Sequence, residues 1–286
     1  KKNNLFIHLN YGYFEPVNSL SKFDIVNVHW TPNSTFGLKS VERLSNTTKV
    51  VISLHDFHFI TGGCHTPVGC ENFRDICDNC PLVDGYVKKE IVKKRKESID
   101  ALSENKNIFF VSPSSFVYNS FKAKNSFLIF NPIEKSLKRK KVKDIDVLFF
   151  SDKKNWFIKG YDRLRDYIDF YKSKNLKIVV VGDEIPDLKG IDFYPFLKKE
   201  KLLDLFDKSK YFFLSSRFET FSLMAHEALD RGCDIIFDDL EIGWELSLSF
   251  PKRVNQYKNL KLRENKLIKK IDFESYKDFY LWLQKN

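Results

Sequence analysis

Apolar residues along this chain fall in short blocks separated by longer stretches of mixed character. Blocks at Leu5–Leu9, Ile25–His29, Val50–Leu54, Ile108–Val111 and Ser126–Phe130 read as buried β-strands. A second series follows at Val147–Phe150, Lys177–Val181, Tyr211–Ser215 and Asp234–Phe237. Between them apolar residues recur at helical spacing. Tyr161–Lys174 places Leu164, Tyr167, Ile168 and Tyr171 on one face, and Lys199–Lys208 and Phe221–Arg231 are similar. A last helix is expected over Phe273–Leu283, with Phe273, Tyr276, Phe279, Tyr280 and Leu283 on one side. Strands alternating with helices predict βαβ units and doubly wound parallel sheets with helices on both faces, an α/β fold.

The two series are separated by a break. Asn131-Pro132-Ile133 ends the first, Lys135–Lys143 is basic and poor in apolar residues, and Val147 begins the second. A linker is therefore placed at 134–144, with domains at 1–133 and 145–271. The length of 286 residues suits two domains of ordinary size. Hydrophobic residues at 43%, with 28 phenylalanines, suffice for two cores and exclude global disorder. Only 11 glycines and 9 prolines exclude collagen-like and low-complexity chains. No apolar run is long enough to span a membrane, and no basic-apolar leader opens the sequence. A cytoplasmic location is expected. The net charge of +10 admits anionic partners: phosphorylated ligands, nucleic acid or an anionic membrane surface. Tyr86–Leu102 sharpens the last of these. Its lysines (Lys88, Lys89, Lys93, Lys94, Lys96) and Arg95 accompany an apolar side of Val87, Ile91, Val92, Ile99 and Leu102. It reads either as a solvated helix or as one lying on the inner face of a membrane.

Four of the five cysteines crowd one window as C-x5-C-x6-C-x2-C: Cys64, Cys70, Cys77 and Cys80. The closing CxxC suits two thiolates on a tetrahedral cation, so a structural zinc is one reading. Two disulfides, or four reduced core cysteines, are the others. Cys233 stands apart and reads as a buried small hydrophobe. His8, His29 and His58 read as structural, and His65, beside Cys64, as a further metal-ligand candidate.

The densest chemistry lies at Ser215–Gly232, where an expected strand runs into an expected helix. Glu219 sits in the turn and Glu227 about two turns into the helix. The backbone N–H groups of Thr220, Phe221 and Ser222 are placed as helix-start donors, which suit phosphate. A ligand over this helix start could offer hydroxyls to both carboxylates. The plainer reading is a surface helix with acids near its N-terminal end.

This segment resembles the E-x7-E motif of family-4 retaining glycosyltransferases, which have the GT-B fold. Other stretches agree in order. Asp24-Ile25-Val26-Asn27-Val28-His29-Trp30 resembles that family's first-domain strand. Leu54-His55-Asp56, Thr61-Gly62-Gly63-Cys64-His65 and Cys70, Cys77, Cys80-Pro81 resemble a subgroup that synthesises polysaccharides. Ser112-Pro113-Ser114, Asn131-Pro132-Ile133 and Lys159-Gly160 are similar to further landmarks. The likeness covers residues 21–247. It implies two Rossmann-like domains facing across a cleft, the N-terminal one for the acceptor and the C-terminal one for a UDP- or GDP-sugar. The final helix, 272–286, would pack back on the first domain. Glu219 would hold donor-sugar hydroxyls, and Glu227 the ribose. Lys159 would neutralise the diphosphate, and Thr220, Phe221 and Ser222 would meet phosphate. His55, Asp56, Gly62 and Gly63 would lie on the acceptor side. Lys153 or Lys154 would replace an arginine of the family's first donor-domain loop. Catalysis would fall to Glu219, His55 and Lys159 with no required cofactor.

The implied activity is transfer of a sugar to a glycan or lipid-linked acceptor. The stretch between Leu5 and Asp24 holds only Gly12 where the family carries a Gly-rich loop and long helix. That motivates the alternative of a non-catalytic nucleotide-sugar binder. A zinc-stabilised nucleic-acid binder is the remoter one, since no RRM, KH or finger signature is present.

Overall fold

The computed structural model describes residues 16–29, 36–133, 142–257 and 272–285. The strand expected at Leu5–Leu9, His8 and most of the expected linker lie outside them. The chain divides into two units, Lys1–Pro132 with Leu267–Asn286, and Ile133–Lys266.

The first unit runs α1 (Pro16–Leu20), β1 (Ile25–Val28), α2 (Leu38–Leu44), β2 (Lys49–Ser53), a 3₁₀ turn (Asn72–Arg74), α3 (Tyr86–Ser103), β3 (Ile108–Ser112), α4 (Ser115–Ser120) and β4 (Ser126–Leu128). Its sheet is parallel throughout, in the order β1-β2-β3-β4. The second unit runs β5 (Ile145–Ser151), α5 (Tyr161–Lys172), β6 (Ile178–Gly182), β7 (Asp192–Tyr194), α6 (Lys199–Lys208), β8 (Ser209–Leu214), α7 (Leu223–Asp230), β9 (Asp234–Phe237), α8 (Glu241–Ser249) and β10 (Val254–Gln256). Its six strands are also parallel, in the order β10-β9-β8-β5-β6-β7. The last helix, α9 (Tyr276–Lys285), belongs to the first unit.

The strands form where β-branched and aromatic residues run together: Val50, Val51 and Ile52 in β2 are fully buried, as are Val180 in β6 and Phe149 in β5. Both faces of such a strand are covered, so its apolar run is continuous rather than alternating. In the second unit Phe149, Phe213, Tyr167 and Tyr257 stack with Leu164 and Ile168 of α5. In the first unit Phe279 and Leu283 of α9 close over Val51, Phe109, Val111 and Ile129. Polar bonds fix that helix. The Asn27 amide donates to the Tyr280 hydroxyl at 2.5 Å, Lys49 Nζ to the Leu283 carbonyl at 2.6 Å, and the Leu128 N–H to Asp272 at 2.7 Å.

Three differences from the sequence reading have physical causes. The short edge strand β7 is exposed along its whole length, so no burial pattern announces it. The helix expected from Phe221 begins at Leu223, because Ser222 takes a left-handed φ of +59°. The basic helix α3 does not keep all its cations in solvent. Arg95 is fully buried, and Lys96 is 5% exposed and held by Asp100.

Candidate active site

The strand order of the second unit, read from β7 as 3-2-1-4-5-6, reverses between β5 and β8. In open α/β sheets ligands bind outside the carboxyl ends of the strands at such a switch point. The two loops that leave it are 152–160 after β5 and 215–222 after β8, and they carry Lys159 and Glu219.

The loops are laced together. The Gly160 φ is +69°, and a Cβ added there would lie 2.1 Å from the Ser215 carbonyl oxygen, so only glycine lets them approach this closely. The Ser215 hydroxyl donates to the Lys159 carbonyl at 2.8 Å, Arg163 Nη2 to the Ser215 carbonyl at 2.8 Å, and the Arg217 N–H to the Ile158 carbonyl at 2.7 Å. Lys159 Nζ then meets Glu219 Oε1 at 2.6 Å, and the Ser216 hydroxyl donates to the same oxygen at 2.8 Å. The Glu219 side chain is 14% exposed and that of Lys159 34%. The pair is thus half-sheltered, where charge is screened less than at an open surface. Gly182, at the end of β6, repeats the device, with its virtual Cβ 2.0 Å from the Ser151 carbonyl. Beside it the Asp183 carboxylate accepts from the Lys153 backbone N–H at 2.7 Å. That places Lys153 in the same loop through its main chain.

Glu227, the fifth residue of α7, lies little more than one turn into the helix and pairs with Lys199 at 3.2 Å. With the helix starting at Leu223, Thr220, Phe221 and Ser222 form the bend before it, and the N–H groups of Leu223, Met224 and Ala225 are the helix-start donors. A left-handed serine is costly and persists where surrounding structure enforces it. Here the His226 ring stacks on Phe221 with centroids 3.9 Å apart and reaches the Ser222 carbonyl at 3.0 Å. Burial lowers the His226 pKa, so it acts as a neutral brace.

In the first unit, His55 and Asp56 follow β2. His55 Nε2 lies 2.7 Å from Nδ1 of His29, which follows β1 and is exposed rather than packed in the core. Burial lowers the His55 pKa, and His29 lowers it further against the opposing Asp56. Asp56 accepts from His65 Nδ1 at 2.6 Å and from the His58 N–H at 2.8 Å. Burial alone would raise its pKa, but these bonds hold it below the usual carboxylate range. Arg95 donates to the His58 and Thr61 carbonyls at 3.0 Å and to His58 Nε2 at 2.8 Å. A guanidinium only donates, so Nε2 accepts and His58 is neutral with its proton on Nδ1, facing the Gly63 carbonyl at 3.4 Å. Burial and then Arg95 push the His58 pKa down to about 3.

Gly62 and Gly63 are used by packing. A Cβ on Gly62 would strike Val92 of α3 at 2.4 Å, and Gly63 turns the chain at a φ of +128°. All five cysteines are free thiols, and Cys64, Cys70, Cys77 and Cys80 line one pocket with Thr66, Phe73 and Val92. Burial pushes the Cys64 thiol up to about 12. Among the described residues no group of three or more His, Cys, Asp or Glu is spaced to hold a metal ion.

The structure therefore joins Lys159 with Glu219, and His55 with Asp56, in separate units. Sequence reasoning missed Ser216, Lys199 and the Asp183 bond to Lys153. It also missed the part played by His29, whose position at a strand's carboxyl end was the one available signal.

No protein-family model and no curated protein matches the sequence. Solved structures do. Sucrose-phosphate synthase from Thermosynechococcus elongatus is 14% identical, with 82% of this chain and 60% of that one covered and a TM-score of 0.51. TarM is 16% identical, with 94% and 50% covered and a TM-score of 0.51. Anabaena HepE, solved with UDP and glucose, is 12% identical, with 80% and 63% covered and a TM-score of 0.51. The chain thus spans half to two thirds of the length of these structures. At such identities the likeness is one of fold, and the fold of this chain is the α/β, two-Rossmann-unit fold of GT-B glycosyltransferases.

Proposed function

We propose that this protein is a retaining glycosyltransferase that moves a sugar from a UDP- or GDP-sugar to a glycan or lipid-linked acceptor. The observation that carries the reading is the Lys159–Glu219 pair at the switch point between β5 and β8. Departure of a nucleoside diphosphate develops negative charge on the leaving phosphate. A fixed ammonium there stabilises the transition state more than the ground state. Glu219, oriented by Ser216 and only 14% exposed, is an acceptor for donor-sugar hydroxyls. Glu227, held by Lys199, takes the ribose diol, and the bend at 220–222 with the start of α7 offers backbone N–H groups to phosphate. On the acceptor side His55 and His29 share one hydrogen bond, so only one imidazole donates into it. No protein nucleophile is assigned, and no metal or cofactor is required by these roles.

A lipid-linked acceptor is supported by α3, where Tyr86 and Val87 are 78% and 70% exposed beside the exposed lysines Lys88 and Lys94. Such a helix end suits an anionic leaflet. No described helix is long and apolar enough to cross a membrane.

The test is donor hydrolysis and glycan extension with a panel of UDP- and GDP-sugars. Glu219→Gln removes the charge and keeps the shape, and should lower kcat by roughly 10²-fold or more. Full activity in both Glu219→Gln and Lys159→Ala would dismiss the assignment.

A further inference from the structure

We propose that α9 positions the acceptor-side pair His29 and His55, through a line of hydrogen bonds that runs from Tyr276 to Ser53 to Asn27 to Tyr280. The inference rests on the reading of His55 as an acceptor-side group, and it adds positioning residues for the same reaction.

The helix meets the sheet of the first unit in two zones. Phe279 and Leu283 lie on Val51, Phe109, Val111 and Ile129, an apolar contact. Towards the carboxyl ends of β1 and β2 the contact turns polar. Ser53 Oγ donates to Asn27 Oδ1 at 3.1 Å, and Asn27 Nδ2 donates to the Tyr280 hydroxyl at 2.5 Å. The Tyr276 hydroxyl lies 3.3 Å from Ser53 Oγ. A serine hydroxyl carries one proton and Asn27 takes it, so Tyr276 is the donor to Ser53. Each bond in the line thus has one direction, and the Asn27 amide faces only one way round. Ser53 is buried, at 2% exposure. A satisfied polar network in such a place selects one geometry, where apolar packing alone tolerates several.

The line stops two residues short of each histidine. Asn27 and Val51 are register partners in the parallel pair, which brings Ser53 to the end of β1. The His55 N–H folds back on the Ser53 carbonyl at 3.0 Å, a three-residue γ-turn, so the His55 ring projects from a bend whose first residue Tyr276 holds. Beyond it the two imidazoles lie nearly parallel, with centroids 5.0 Å apart and His29 Nδ1 2.7 Å from His55 Nε2. A hydrogen bond between rings on two strands needs both strand ends in fixed register, because it weakens steeply with misalignment. The Ser53–Asn27 bond crosses between those strands just before the rings, and the tyrosines of α9 clamp it from both sides. Lys49 anchors the other end of α9, through the Leu283 carbonyl, without touching this line.

The experiment joins ring-nitrogen NMR of the full chain, labelled at histidine, to acceptor kinetics. The six histidines give few signals, and His29→Gln and His55→Gln assign the pair. Tyr276→Phe removes one hydroxyl and keeps the ring. Ser53→Ala removes both bonds of the central residue. Both variants should shift the His29 and His55 ring signals and their pH titrations. Both should lower kcat/KM for the acceptor roughly 10- to 100-fold, with the donor KM unchanged. Lys49→Met, which frees the opposite end of α9, should leave the signals and the kinetics as they are. Ring signals unmoved by Tyr276→Phe overturn the proposal. So do equal effects from Lys49→Met, which mean that any loosening of α9 suffices. Shifted rings with an unchanged acceptor kcat/KM overturn it as well. The spectra are read without substrate, so a wild type that transfers no sugar overturns the proposed function, while the ring signals still decide whether α9 places the pair.

Discussion

Gly160 and Gly69 share a φ of +69°, but their surroundings differ completely. A Cβ on Gly69 meets nothing within 4 Å, whereas one on Gly160 would lie 2.1 Å from the Ser215 carbonyl. Alanine at either position bears the left-handed strain of about 1 kcal/mol. At Gly160 it must also push the β5 and β8 loops apart by roughly 0.9 Å to reach the 3.0 Å that real Cβ contacts respect. Three hydrogen bonds span that gap: Ser215 to Lys159, Arg163 to Ser215 and Arg217 to Ile158. At about 1 kcal/mol each, their loss brings Gly160→Ala to roughly 3–4 kcal/mol against about 1 kcal/mol for Gly69→Ala. Thermal unfolding of the two variants side by side checks this. The expected drops are roughly 6–16 °C and 2–4 °C. Nucleotide-sugar affinity should fall only in Gly160→Ala, because the same displacement moves Lys159 away from Glu219. Equal losses of stability would refute the reasoning, since the strained φ alone would then account for both.

Other outcomes follow from the same geometry. Below pH 6.5 the unfolded chain takes a proton at His58 that the folded chain refuses until about pH 3. Stability is therefore full above 6.5 and lost as pH falls, by at most about 1.4 kcal/mol per unit. His55 and His226, also lowered, act in the same sense. Urea midpoints between pH 7 and 5 measure this, and a flat profile would sink it. Phe279→Ala, at a fully buried position of α9, should cost about 3–5 kcal/mol in denaturant unfolding; a loss under 1 kcal/mol would mean that α9 is not part of the core. Co-sedimentation with anionic vesicles at low salt should weaken about fivefold for each of Lys88→Glu and Lys94→Glu. Absence of binding by the unaltered protein would rule out the docking face.

The sheets were legible because parallel strands buried on both faces announce themselves as unbroken apolar runs, as at Val50–Ile52 and Ile178–Val181. The exposed edge strand β7 left no such trace. In α8 Ile242, Trp244 and Leu246 are interspersed with Glu241, Glu245, Ser247 and Ser249, so no single amphipathic face stands out. Glu219 and Lys159 could be singled out by motif, but their meeting is a tertiary fact, 60 residues apart in sequence. The glycine of Lys159-Gly160 carries its reason only in space, in the carbonyl of Ser215. The expected helix start failed at Ser222 because periodicity cannot register one residue whose φ changes sign. Arg95 looked like one more surface cation because a sequence does not disclose three acceptors gathered round a buried guanidinium.

The placement of α9 bears on biosynthesis. The chain leaves the first unit at Pro132 and re-enters it at Leu267, so the second unit is an uninterrupted insertion within the first. On the ribosome the second unit has all its strands once Gln256 has emerged. The first unit must wait for Phe279 and Leu283 before Val51, Phe109 and Val111 are covered. The first unit is thus begun first and finished last, and during that interval its sheet presents an apolar face for chaperones to shield.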